Sequence, residues 1–363
     1  MLPCAALVLL AAAAGAQAAS DAAPATARDI LALDAEAKRF LAERVPANVN
    51  RDDRFRALVD AMFGKDGLGV TYGNTATRTA QETFDAASGN CLSFTLLFVA
   101  LAREVGLEVS FHEVSEASSW DRRGDVIVVN MHMFAEAEID NGRNRVDFLP
   151  GQQKHYLSTR RISDRRALAH FLNNLGVEQL AAGDLEAAAG RFRSALAADE
   201  TFNPAWTNLG VAQRRQGKFA AAEESYGRAL AAAPADVTAR WNLASLYLAV
   251  GRIEEGERLV AEVEEQRRRN PFYQFRQGVK ALAEDEPREA VARLREAVRL
   301  LPEASDFHEL LADAHLAAGA PKRALSSLRK ALALAADKSE RARLQVKLTG
   351  LGGSAAGAVD SKD

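Results

Sequence analysis

Cys91 is the residue of this chain that is best placed for nucleophilic chemistry. It follows Gly89-Asn90, and the apolar residues after it recur at helical spacing: Phe94, Leu97, Phe98, Leu101 and Val105. The first turn of a helix has backbone N–H groups without helical partners and the positive end of the helix dipole, and both favour a thiolate. A cysteine on an apolar helix is also a common inert core residue, so position alone leaves both interpretations open.

Two side chains further along could complete a thiol site. His132 lies in a β-rich run over 126–139, and Asp147 lies in the next predicted strand, 144–149. Thiolate chemistry needs a histidine within hydrogen-bond reach and an acceptor that fixes the tautomer of its ring. A helix start and two adjacent strands can supply these groups, so Cys91, His132 and Asp147 are the candidate catalytic residues.

The turn between the two strands decides whether His132 and Asp147 can meet. The Asn141-Gly142 pair predicts a two-residue hairpin turn. That turn would pair Glu136 with Asp147 and leave His132 about 13 Å away along the strand. A hydrogen bond between the two side chains requires a bend centred near Ile139-Asp140, or a bulge. We therefore predict a wider loop than Asn141-Gly142 would form.

The order of these motifs resembles that of the transglutaminase-like superfamily, which shares a papain-like Cys-His-Asp arrangement. The motifs are Gly89-Asn90-Cys91 at a helix start, Asn130-Met131-His132-Met133-Phe134 in a strand, and Arg145-Val146-Asp147-Phe148 in the next strand. The resemblance covers about residues 79–150. It implies that Cys91 is the nucleophile, His132 the base and Asp147 the group that orients the imidazole. The implied reaction is acyl transfer on an amide or peptide bond, by hydrolysis or transamidation.

Two features bear on this resemblance. Phe134 stands where many members of the superfamily have tryptophan, and no oxyanion donor upstream of Cys91 is assigned. By ligand type, Cys91, His132 and Asp147 could also hold zinc, but a helix-start cysteine suits a nucleophile better. His112 could face the site from a neighbouring strand, although a core-edge histidine is the simpler interpretation. We expect no metal and no cofactor.

The surrounding pattern predicts an α+β domain of papain or transglutaminase type over residues 30–151. Helices are expected at about 30–44 and 53–63, followed by a glycine-rich loop and a short helix that begins near Thr79. A strand is expected over 107–114 and a polar loop over 116–124. A polar, basic connector, 152–168, ends the domain.

Beyond the connector the sequence repeats every 34 residues, in five copies that begin at Ala169, Asn203, Val237, Pro271 and Ser305. Small residues recur at the eighth position of each copy: Gly176, Gly210, Ala244, Gly278 and Ala312. This period resembles that of the tetratricopeptide family of helix pairs. We predict an all-α tetratricopeptide solenoid over 169–338, a capping helix over 339–349 and a disordered tail over 350–363.

A tetratricopeptide array offers a concave face, lined by the first helix of each repeat, on which a protein or peptide partner could bind. Asn174, Asn208 and Asn242 share one repeat position and could hydrogen-bond to the backbone of an extended peptide. The alternative is that these asparagines belong to the ordinary repeat pattern. Two function classes follow: an exported thiol enzyme whose repeats recruit a protein substrate, or a binding scaffold without catalysis.

The N-terminal sequence predicts export. Residues 1–18 combine a short apolar run with a small-residue cleavage pattern, so we predict a signal peptide followed by a linker over 19–29. The apolar run is too short to span a bilayer, so no stable membrane insertion is expected and the protein should be periplasmic or secreted. The net charge of -3 gives no electrostatic case for nucleic acid.

Overall fold

The chain forms two compact units in the computed structural model, which describes residues 26–72, 76–123, 126–148, 159–335 and 338–357. The first unit extends to Gly256 and the second begins at Glu257. The predicted signal peptide, 1–18, and most of the predicted linker, 19–29, lie outside the described residues. Within the described ranges, no helix is long and apolar enough to cross a membrane.

The described α-helices that precede the sheet each start where the sequence supplies a capping side chain. Their bounds, after a 3-10 helix at Asp29–Leu31, are α1 Ala35–Arg44, α2 Arg51–Phe63, α3 Ala80–Ala86 and α4 Cys91–Glu104. The residue before each helix accepts a hydrogen bond from the first turn: Asp34, Asn50, Thr79 and Asn90. The first predicted helix, 30–44, therefore begins five residues late because Asp34 caps it.

The main sheet of the described chain has the strand order β5-β4-β3-β6, and all neighbours are antiparallel. The strand bounds are β3 Glu108–Arg123, β4 Val126–Ile139, β5 Gly142–Val146 and β6 Thr159–Ile162, and a separate parallel pair joins β1 Thr71–Tyr72 to β2 Ser88–Gly89. The predicted loop over 116–124 is wrong for most of its length. Ser118 to Arg123 pair with β4 after an irregularity that follows Glu113. Hydrogen bonds to β4 pair the backbone N–H and C=O groups of this segment, so its polar side chains do not prevent it from forming a strand.

The turn between β4 and β5 is tighter than we predicted. Ile139 pairs directly with Gly142, so only Asp140 and Asn141 form the turn, and the wider loop is wrong. Asp52 at the start of α2 fixes this choice, because its Oδ1 accepts the N–H of Asp140 at 2.9 Å. Gly142 has φ +123°, which lets it take the first position of β5.

This register brings the two candidate side chains within reach of each other. Val146, the last residue of β5, pairs with Ala135. Asp147 therefore follows opposite Phe134 and lies diagonally from His132 rather than four residues away. Diagonal neighbours in an antiparallel pair lie about 7–8 Å apart, a distance that side chains can bridge.

The core of the α+β part is built around α4, which packs against β3, β4 and α3. Nearly the whole length of this helix is buried, including Leu96, Leu97 and Phe98, as is typical of a helix that is apolar on all sides. Phe148, just beyond β5, packs its ring against Phe94 and Phe98. The helix that begins at Cys91 is thus held rigidly beside the strand that ends before Asp147.

The rest of the described chain is helical and follows the predicted repeats. The bounds are α5 Asp164–Ala182, α6 Leu185–Ala198, α7 Asn203–Arg215, α8 Phe219–Ala232, α9 Val237–Ala249, α10 Ile253–Arg269, α11 Pro271–Ala283, α12 Pro287–Leu300, α13 Ser305–Ala317, α14 Pro321–Leu334 and α15 Lys338–Gly357. The small residue at the eighth repeat position allows the two helices of a repeat to approach closely. A Cβ on Gly176 would lie 2.6 Å from the ring of Phe192.

Two segments near the ends of the array differ from their predicted state. The described part of the connector over 152–168 forms β6 and the first turn of α5, because Thr159–Ile162 pairs with β3. The tail over 350–363 was predicted to be disordered, but α15 continues to Gly357. Each glycine costs a helix only about 1 kcal/mol, so the glycines after Thr349 do not by themselves end it.

Candidate functional site

Cys91 is the first residue of α4, and its position is fixed by the residue before it. Asn90 is the N-cap, and its Oδ1 accepts the Ser93 N–H at 2.9 Å. The Cys91 thiol is outside any disulfide and half-buried. Helical geometry leaves the first N–H groups of α4 without helical acceptors, so the sulfur lies where negative charge is favoured.

His132 and Asp147 are hydrogen-bonded. The Nε2 atom of His132 lies 2.9 Å from Oδ1 of Asp147, and the imidazole is buried. The Cys91 thiol also belongs to the environment of the His132 ring, because it acts with Asp147 to raise the pKa of the imidazole. The structure therefore brings together the three candidate catalytic residues that the sequence indicated.

The pKa of His132 reflects this environment. Burial by itself would lower the pKa, but the hydrogen bonds to Asp147 and Cys91 and the negative charge on those groups raise it to about 9. Since an ionised carboxylate only accepts hydrogen bonds, Nε2 carries the proton shared with Asp147. Proton exchange with a second group, for which Cys91 is the candidate, therefore has to use the other ring nitrogen, Nδ1. Such a group can take a proton from a thiol and return it to a leaving group.

His112 occupies a different environment on the neighbouring strand. Its ring stacks on Phe134, with ring centroids 5.3 Å apart, and its Nε2 lies 3.1 Å from the Ser110 hydroxyl. Burial lowers the pKa of His112, and the carboxylate of Glu136, 3.7 Å away, only partly opposes this. His112 is thus a core-edge histidine that favours its neutral form. Among the described residues, no group of three or more His, Cys, Asp or Glu side chains is arranged to hold a metal ion.

Three residues that the sequence did not indicate support the start of α4. Thr77 donates its hydroxyl to Oε1 of Glu178 at 2.6 Å, and its Oγ1 accepts the side-chain amide of Asn90 at 3.0 Å. The Arg78 N–H donates to the Ser93 hydroxyl at 2.9 Å. An asparagine immediately before an apolar run of helical period is a readable capping signal. Glu178 belongs to α5, 87 positions beyond Cys91, and no local pattern links the two.

The three candidate partner-binding asparagines are more enclosed than an open groove would leave them. Asn208 and Asn242 have no exposed surface, and Asn174 is half-buried. The Asn208 amide donates to Oδ1 of Asn173 at 2.9 Å, which is a contact within the array. In addition, β4 packs against α7 and α9, the first helices of the second and third repeats. Their burial favours the alternative interpretation, in which these asparagines belong to the ordinary packing of the repeats.

Family models described as tetratricopeptide repeat match residues 173–226, 213–274 and 275–339. The chain therefore contains tetratricopeptide repeats, the class of helical repeat that binds protein partners, and the prediction of these repeats is confirmed. A comparison with curated proteins gives no match.

Several solved structures of tetratricopeptide proteins are similar to part of the chain. The thermophilic protein TTC0263 from Thermus thermophilus is 23% identical and covers 50% of this chain and 98% of its own, with a TM-score of 0.26. MamA is 16% identical, covering 46% and 91%, also at 0.26. YrrB, described as a tetratricopeptide protein with an unusual peptide-binding site, is 16% identical and covers 49% and 91%, at 0.26. At these TM-scores the assignment of the repeats rests on the family models.

Proposed function

We propose that this chain is an exported thiol enzyme that transfers an acyl group from an amide or peptide bond, and that its repeats hold a protein partner. The observation that carries the proposal is the set of contacts around His132. Its Nε2 is 2.9 Å from the Asp147 carboxylate, and both Asp147 and the Cys91 thiol at the start of α4 raise the pKa of its ring. The transglutaminase-like resemblance suggests the same reaction class.

In the proposed resting site His132 already holds the thiol proton as an imidazolium beside the Cys91 thiolate, and in the first step the sulfur attacks the carbonyl carbon of the amide. The carbonyl oxygen becomes an oxyanion, which the first-turn N–H groups of α4 are placed to stabilise. Collapse of this intermediate breaks the carbon–nitrogen bond, and His132 gives its proton to the leaving amine. The products of this step are an amine and a thioester on Cys91.

In the second step water or a second amine attacks the thioester, and His132 removes a proton from the attacking group. The carbon–sulfur bond then breaks and Cys91 is restored, either as the thiol or as the thiolate paired with the imidazolium. Asp147 stabilises the imidazolium and keeps the proton on Nε2. Hydrolysis and transamidation differ only in which acceptor reaches the thioester.

The repeats supply the partner-binding part of the proposal. We place a protein or peptide partner on the face formed by the first helices of the array, which carries Asn174, Asn208 and Asn242. Since β4 packs against α7 and α9, a partner at the second and third repeats must share that surface with β4. Nucleic acid and a membrane are not proposed as partners.

The test is the pH dependence of Cys91 alkylation by iodoacetamide in the full chain. An ordinary thiol, with a pKa of about 8.5, is almost wholly protonated at pH 6. We expect Cys91 to react on the order of a hundred times faster at pH 6 than such a thiol, and His132→Ala to remove this advantage. His112→Ala is the matched control, because it also alters a buried histidine of the same sheet. A wild-type rate like that of an ordinary thiol, unchanged in His132→Ala, would rule out the proposed enzyme.

A second candidate is a binding scaffold in which the cysteine domain does no chemistry. It is favoured by the family matches, all of which lie within residues 173–339. In a scaffold, Asp147→Ala would leave the reactivity of Cys91 unchanged. In the proposed enzyme the same change should keep the fold and lower turnover by orders of magnitude.

A further inference from the structure

We infer that Glu178, on the first helix of the repeat array, positions the Cys91 nucleophile through Thr77 and Asn90. This inference rests on the proposed function and assigns a role in it to a residue of the repeats. Glu178 has no part in the repeat packing pattern that the sequence displays. Its carboxylate instead contacts the segment that leads into α4.

Glu178 accepts two hydrogen bonds from Thr77. One carboxylate oxygen, Oε1, accepts the Thr77 backbone N–H at 2.7 Å and the Thr77 hydroxyl at 2.6 Å. Thr77 is 5% exposed, so water has little access to compete for these groups. The carboxylate is thereby the acceptor for two buried donors on the segment before α3.

The carboxylate also sets the direction of the hydrogen bonds beyond Thr77. Because it can only accept, the Thr77 hydroxyl must donate to Glu178, and its oxygen is left to accept from Asn90 Nδ2 at 3.0 Å. That contact turns the amide of Asn90 so that Oδ1 faces α4, where it accepts from the Ser93 N–H at 2.9 Å and the Ser93 hydroxyl at 3.0 Å. Asn90 is covalently joined to Cys91, so the orientation of the cap fixes where the thiol begins.

A second contact joins the other end of α4 to α5. Arg103, in the last turn of α4, makes two hydrogen bonds to Asp164, the first residue of α5, at 2.6 and 2.9 Å. The helical rise from Asn90 to Arg103, and that from Asp164 to Glu178, is about 20 Å in each case. Asp164 thus contacts the C-terminal end of α4, while Glu178, further along α5, contacts Thr77 on the segment that leads into Cys91.

The experiment compares Cys91 alkylation by iodoacetamide from pH 5 to 9 in the full chain and in three variants. Glu178→Ala removes the acceptor, while Glu178→Gln keeps an amide oxygen that can accept both Thr77 bonds. Glu186→Ala changes an exposed glutamate of the same repeat, whose side chain contacts Gln216 and Lys218. We expect Glu178→Ala to lower the rate at pH 6 about tenfold and to move the pH profile upward. Glu178→Gln and Glu186→Ala should keep a near wild-type profile.

Each outcome bears on a separate claim. A wild-type profile in folded Glu178→Ala, beside an activated wild-type Cys91 that depends on His132, overturns the role of Glu178 and leaves the proposed function intact. An unactivated wild-type Cys91 overturns both. If Glu178→Ala does not fold, Thr77→Val tests the same path, because it removes the hydroxyl and keeps the N–H to Glu178. A wild-type profile in that variant would also overturn the inference.

Discussion

The first and fourth repeats share one packing pattern but are held by different kinds of interaction. In both, a glycine at the eighth position faces a large side chain: a Cβ on Gly176 would meet Phe192 at 2.6 Å, and one on Gly278 would meet Leu294 at least as closely. The first repeat adds polar side chains on α5 that bond to the α+β part of its own compact unit. The 34-residue period therefore encodes the packing within a repeat, and residues outside the period encode what a repeat is attached to.

The clearest of these attachments is a buried charge cluster around Glu113 on β3. The Arg166 guanidinium lies 3.0 Å from the carboxylate and the His170 ring 2.9 Å from it, and Arg160 also contacts it. Burial alone would raise the pKa of Glu113, but the hydrogen bonds and charges of these partners hold it far below its usual value. In the second unit, the pair formed by Arg299 and Glu296 is substantially exposed and lies within one helix.

The largest expected effect tests this difference directly. Glu113→Ala leaves the buried Arg166 without its main partner, which should lower the free energy of unfolding by about 3–5 kcal/mol. Glu296→Ala, the matched change in an exposed pair, should alter it by less than about 1 kcal/mol. Urea unfolding of the full chain, with one transition followed for each unit, would measure both. Similar losses in the two variants would mean that burial does not distinguish the two regions.

The difference between periodic packing and contacts outside the period also explains how much of the fold the sequence predicts. The repeats are readable because five copies align small residues with large ones, as Gly176 and Phe192 do. Cys91, His132 and Asp147 are readable as candidates because each lies on, or directly after, an element with a clear period. Interactions between distant segments leave no periodic signal, so the contacts of Glu113 with α5 and of Glu178 with Thr77 could not be found.

The turn between β4 and β5 is a second case in which a contact between distant segments could not be predicted from the sequence, and this turn belongs to the candidate site. Local turn chemistry favours Asn141-Gly142 as the central pair, because glycine accepts a positive φ. The structure moves the turn back by one residue, since Asp52 accepts N–H groups from Asp140 and Asn141. This shift carries Asp147 toward His132. A residue 88 positions away from the turn thus decides the geometry of the site.

A second prediction compares how pH changes the stability of the two units. The pKa of His132 is raised to about 9 in the folded chain. The contribution of the protonated histidine to the free energy of unfolding is therefore complete below about pH 6.5 and is lost as pH rises through 9. This amounts to about 3 kcal/mol. In the second unit, burial and the charges of Arg323 and Arg295 lower the pKa of His315, so its contribution is present above pH 6.5 and is lost as pH falls.

The measurement is the free energy of unfolding at pH 6 and pH 10 for wild type and His132→Gln. Subtracting the variant from the wild type removes the other groups that titrate in this range. We expect the difference between the two proteins to shrink by about 3 kcal/mol from pH 6 to pH 10. The same comparison with His315→Gln should show no such loss at high pH. A difference that is constant for His132→Gln would show that the histidine is not held charged.

The smallest expected effect tests whether the two repeats really pack alike. Gly176→Ala and Gly278→Ala each place a methyl group closer to a packed side chain than ordinary contact allows, so each should destabilise its unit by about 1–3 kcal/mol. Gly227→Ala is the matched control: Gly227 lies inside α8, and a Cβ there meets no atom within 4 Å. That change should stabilise the chain by up to about 1 kcal/mol, because alanine favours a helix.

Thermal unfolding of the three variants would rank them. Losses of similar size in Gly176→Ala and Gly278→Ala, with a gain in Gly227→Ala, are expected because the close approach of the two helices is common to both repeats. A loss confined to Gly176→Ala would mean that the ring of Phe192 cannot move aside while Leu294 can. The first repeat would then differ from the fourth in the rigidity of its packing as well as in its polar attachments, and the polar contacts of α5 would be the physical cause.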